Sequence, residues 1–81
     1  MDDIKPQQVA KNNEFLDFIT EKLSLKNDAA LSRILDVAPP VISKIRHGKL
    51  PVGSSFMIRC HEIANIPFVK IREFVPSVAG L

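Results

Sequence analysis

Apolar residues recur along this 81-residue chain at three- and four-residue intervals, and no stretch alternates strictly between apolar and polar. That periodicity belongs to helices that bury one face, and it argues against half-buried strands. Turn-forming residues cut the pattern into five short segments. The expected fold is therefore all-α, a compact globule of five helices joined by connections of a few residues. The length suits one such domain and leaves no room for a second.

In the first helix Phe15, Leu16, Ile19 and Leu23 share a face, with Phe18 beside it. Asn12 or Asn13 is a candidate start cap, while Pro6 allows an extra turn upstream. After a break at Leu25-Lys26-Asn27, the second helix starts at Asn27 or Asp28 and turns Ala30, Leu31, Ile34 and Leu35 inward. Asp36 sits where this helix should stop, and aspartate tolerates a left-handed turn better than most residues with a side chain.

The third helix is expected to begin at Pro40. A residue before proline is pushed away from helical angles, and both Ala38 and Pro39 precede one. This helix turns Ile42 and Ile45 inward and stops at Gly48. Ser54 or Ser55 caps the fourth helix, whose inward face is Phe56, Met57, Cys60, Ile63 and Ala64. A fifth helix runs from Pro67, carries Phe68, Ile71 and either Phe74 or Val75, and ends at Pro76. Residues 1–11 are expected to form a partly ordered arm, 12–75 the domain, and 76–81 a loose tail.

The net charge of +2 hides an uneven distribution. From Met1 to Asp36 seven acids face five bases. From Val37 to His61 there is no acid at all, and the window holds Lys44, Arg46, Lys49 and Arg59 with His47 and His61. The remainder balances Lys70 and Arg72 against Glu62 and Glu73. A basic window inside an otherwise mixed chain suits an anionic partner, or is simply a solvated basic face. Arg59 either extends that face or pairs within the molecule with Asp17 or Glu21.

Other classes of function find little support. Charge-free stretches such as Leu50 to Ile58 fall far short of the roughly 18 to 20 apolar residues that span a bilayer, so no membrane role is expected. The start Met1-Asp2-Asp3 lacks the basic and apolar regions of a secretory signal, and a lone Cys60 suits a reducing cytoplasm. Cys60 and His61 with distant His47 offer too few ligands, at the wrong spacing, for a metal. Ser43, Ser54 and Ser55 have no paired histidine and carboxylate, so neither an enzyme nor a cofactor is expected.

The segment from Asp28 to Gly48 carries the functional signal. A helix of about eight residues, a turn of three or four, and a second short basic helix describe a helix-turn-helix. Leu31, Leu35, Val37, Ile42 and Ile45 can bury against one another, leaving the outer face of the second helix to enter a major groove. Ser43, Lys44, Arg46, His47 and Lys49 would meet phosphates, and the amides of Val41 and Ile42 suit an anion.

Leu31-Ser32-Arg33-Ile34-Leu35-Asp36-Val37, followed by Ile42-Ser43-Lys44-Ile45-Arg46-His47-Gly48-Lys49, resembles the Cro/CI (XRE-like, lambda-repressor-like) helix-turn-helix family over roughly residues 12–75. The resemblance implies a positioning helix followed by a recognition helix within Pro39 to His47. It also implies double-stranded operator DNA as partner, a homodimer, and a role as repressor or antitoxin. Three departures stand out. Asp36 replaces the family's turn glycine, and Asp28 replaces a glutamine, where an acid would repel phosphate. Ala38, Pro39, Pro40 and Val41 occupy the positions of the polar cap and base readers. Prolines and Val41 can touch only thymine methyls, so base reading falls to Ser43 and Lys44. Two readings follow. One is a cytoplasmic, dimeric DNA-binding regulator with modest sequence preference. The other is a protein-interaction module on the same scaffold, with Pro39 to Val41 as an exposed apolar knob.

Overall fold

The computed structural model describes residues 4–76. Of the expected loose tail, 76–81, residues 77–81 lie outside the described residues, as do the first three residues of the arm. Among the described residues the architecture is all-α, with five helices: α1 Pro6–Lys22, α2 Asp28–Leu35, α3 Pro39–Arg46, α4 Ser54–Ala64 and α5 Phe68–Phe74.

The arm from Pro6 onward is the beginning of α1, which adopts the extra upstream turn. Pro6 fits the first helical position, where its missing N–H would have had no partner, and the amides of Gln8 and Val9 bond back to the Lys5 carbonyl. Asn12 and Asn13 are consequently interior residues rather than caps. Asn12 is buried and accepts from Gln8 Nε2 at 2.8 Å; the same amide group donates to the Phe74 carbonyl at 3.0 Å. The first turns of α1 are thus tied to the end of α5.

Helix ends follow local chemistry. Asn27 caps α2 by accepting from the Ala30 amide at 2.9 Å. Asp36 adopts φ 56°, and the amides of Asp36 and Val37 bond back to Arg33 and Ser32. Gly48, at φ 75°, stops α3 in the same way, with its own and the Lys49 amide returning to Ile45 and Lys44. A third left-handed stop falls at Ser24, φ 55°. α3 begins one residue earlier than expected, at Pro39. The first amides of a helix have no partner, so two consecutive prolines there sacrifice no hydrogen bond, and Ala38 takes the extended conformation instead. α4 begins after Gly53, and neither Ser54 nor Ser55 serves as its cap.

Phe15, Leu16 and Ile19 of α1 form the centre of the core, closed by Leu31, Leu35, Ile42 and Ile45 from α2 and α3 and by Met57, Cys60 and Ile71 from α4 and α5. Val52 and Ile66 plug it from the connections. Phe74 packs tilted against both Phe15 and Phe18, with centroids 5.6 Å apart in each pair. Two residues expected inside lie at the edge of their helix faces. Ile34 is 45% exposed and Ile63 37%. Ser32 takes an interior place, its hydroxyl donating to the Ala29 carbonyl at 2.8 Å.

Candidate nucleic-acid interface

α3 is held by its apolar side. Ile42 and Ile45 are buried and Val41 is half-buried against the core, so Val41 is not part of an exposed knob. The outward side presents Pro39, Pro40, Ser43, Lys44 and His47, all exposed, with Lys49 exposed just beyond. His47 Nδ1 donates to the Ser43 carbonyl at 2.8 Å, since a carbonyl can only accept. That bond fixes the ring against its own helix and leaves Nε2 as the outer nitrogen.

Arg46 does something else. Its Nε and Nη2 donate to the two carboxylate oxygens of Asp28 at 3.1 and 2.9 Å, and Nη1 lies 2.8 Å from Asp17 Oδ1 and 3.0 Å from Asn13 Oδ1. Asn13 Nδ2 donates in return to the Arg46 carbonyl at 3.0 Å. The side chain is only 21% exposed. The bond to Asp28 raises the Arg46 pKa above its ordinary value despite opposing burial, with Asp17 adding to the effect. Arg46 therefore joins α1, α2 and α3 rather than standing among the outward phosphate contacts where its sequence position had put it. Asp28, the acid at the start of α2, is neutralised by the same clamp.

Arg59 is likewise engaged within the fold, but with neither Asp17 nor Glu21. Its Nη1 lies 3.6 Å from Asp36 Oδ2 and donates to the Leu35 carbonyl at 3.3 Å, supporting the end of α2 where carbonyls lack partners. Of the four formal cations in the acid-free window, Lys44 and Lys49 remain without a carboxylate within 4 Å among the described residues. Asp17, Asn13 and Asp28 are positioning residues with no recognisable sequence signal, because their distance from Arg46 along the chain follows no helical spacing.

A cleft of about 410 Å³ separates the start of α2 from α3, lined by Asp28, Ala29, Pro39, Ser43, Arg46 and His47. A second, of about 400 Å³, lies between α4 and α5 against Met57, Ile58, Phe68, Ile71 and Arg72. Away from α3, His61 donates through Nδ1 to the Ile66 carbonyl at 2.8 Å and stacks on Phe68 at 4.1 Å. Burial pushes the Cys60 thiol up to about 12, which leaves it a neutral core residue. Among the described residues no three His, Cys, Asp or Glu side chains gather to hold a metal ion. No described helix is long and apolar enough to cross a membrane.

No family model matches this chain, and neither does any curated protein or solved structure. The functional reading therefore rests on geometry and charge.

Proposed function

We propose that this chain is a DNA-binding regulator of the helix-turn-helix type, with α2 lying across the backbone and α3 entering the major groove. The observation that carries this reading is the outward side of α3. It bears Ser43, Lys44, His47 and the adjacent Lys49 and no acid of its own, while Asp28, which borders it, is paired with Arg46. A helix of this diameter fits the groove, and lysines at its later turns can reach phosphates on either wall. In this reading Arg46 and Arg59 set the angle and stop of the two helices, and the domain works as a dimer repressing transcription or serving as an antitoxin.

The test is affinity for a generic duplex as salt is varied. Two phosphate contacts per monomer give a log–log slope of about −2, or about −4 for a dimer. Lys44→Ala flattens the slope by about one per monomer. A flat plot for the wild-type protein refutes the reading.

The exposed Pro39 and Pro40 support a second reading, a protein-interaction module that uses this end of α3. An NMR titration separates the two. Resonance shifts at Lys44 and Lys49 on adding duplex favour DNA; their absence at about millimolar duplex, where even non-specific binding saturates, favours a protein partner.

A further inference from the structure

Resting on the DNA-binding reading, we infer that the leading end of α3 recognises C5-methyl groups in the major groove, those of thymine above all. In a helix that enters the groove end-on, residues of the first turn lie nearest the base edges. Here those residues are Pro39 and Pro40, both exposed, preceded by exposed Ala38. None has a side-chain donor or acceptor, and the prolines have no amide hydrogen either.

Such a surface gains nothing from the N7, O6, N4, N6 or O4 edges of the bases. It also strips them of water without replacing the lost hydrogen bonds. The one group in the groove it complements is the methyl carbon of thymine. The pyrrolidine rings are fixed in φ, so little conformational freedom is lost on contact.

Charge commits this apolar tip to a nucleic acid rather than to an apolar protein surface. Ser43 and Lys44 follow one turn behind it, Lys49 stands beyond the helix stop, α3 itself carries no acid, and Asp28, which lines the neighbouring cleft, is paired with Arg46. The arrangement is a methyl-sensing tip with phosphate-holding lysines behind it. Pro39 also lines the cleft with Ala29 and the paired Asp28 and Arg46, so its ring stands beside the start of α2.

The experiment compares four short duplexes by fluorescence anisotropy: alternating dA–dT, alternating dA–dU, alternating dG–dC, and the last with 5-methylcytosine. Only the methyl group changes within each pair. Each buried methyl is expected to tighten binding about fourfold, so dA–dT exceeds dA–dU and the methylated dG–dC duplex exceeds the plain one. The salt dependence stays the same across all four, because the phosphate contacts are unchanged. Pro40→Ser reduces both ratios and leaves the salt dependence intact. Equal affinity within both pairs, with the salt slope preserved, overturns methyl recognition while leaving DNA binding in place. Failure to bind any duplex overturns both.

Discussion

Arg46→Gln keeps most of the side-chain stem and removes the charge that joins α1, α2 and α3. Its cost can be bracketed from exposure. Exposed ion pairs contribute about 0–1 kcal/mol, whereas stripping a fully buried charge of its partner costs about 3–5 kcal/mol. The Arg46 side chain is 21% exposed, Asp28 44% and Asp17 69%, which places the clamp between these limits. Two charge-assisted bonds to Asp28 in a fork geometry make up most of it, so a loss of about 2 kcal/mol is expected. For a domain of this length that corresponds to a Tm lower by roughly 8–16 °C. Arg46→Lys retains the charge but loses the fork and falls about midway. In double-mutant cycles the coupling to Asp28 is expected at about 1 kcal/mol or more, and that to the more exposed Asp17 below about 0.5 kcal/mol.

The pKa of Arg46 is raised in the fold, so its contribution is complete below its ordinary value and is lost only as pH climbs through the raised one in strong alkali. The stability difference between wild type and Arg46→Gln should accordingly stay level between about pH 6 and 9 as far as Arg46 itself titrates. Urea denaturation followed by circular dichroism measures all of these quantities. An Arg46→Gln midpoint within experimental error of wild type, or stronger coupling to Asp17 than to Asp28, would refute the clamp as the organiser of the three helices.

Ser24 stops α1 in a left-handed conformation that costs a residue with a side chain about 1–2 kcal/mol; after allowing for glycine's greater unfolded-state freedom, Ser24→Gly should raise stability by about 0.5–1 kcal/mol, read as a higher Tm. Gly48→Ala should do the opposite. It strains φ 75° and brings a Cβ to 2.9 Å from Val9 Cγ2, for a loss of about 2 kcal/mol in urea titration. Cys60, buried and with its thiol pushed up to about 12, should resist a thiol-specific reagent at about pH 8 until the protein is unfolded in urea. Because the native thiol holds its proton more tightly than the unfolded one, Cys60 makes stability fall as pH rises from about 9 toward 12; Cys60→Ala, compared across that range, should lose this alkaline dependence.

The five helices were legible because each depends on nearby residues. Asn27, Asp36 and Gly48 act within a turn of the backbone they terminate, and their roles follow from side-chain chemistry alone. Starts were less legible where several residues could serve. Pro6 and Asn12 both suit the beginning of α1, and the decision came from distant packing, where Gln8 reaches the Phe74 carbonyl. The edges of apolar faces were similarly open. Periodicity identifies a stripe on α2 and on α4, but which edge of each stripe stays exposed, as Ile34 and Ile63 do, depends on how the helices pack.

By itself, the sequence determined that the chain is helical, where α2 and α3 stop, and that twenty-five consecutive residues carry cations without an acid. Only the tertiary structure decided which of those cations face outward. Charge adds along a chain wherever it folds, but the availability of a guanidinium depends on which carboxylates the fold brings within a few ångströms. Asp17 and Asp28 meet Arg46, and Asp36 meets Arg59, leaving Lys44 and Lys49 as the outward charges behind the proline tip of α3.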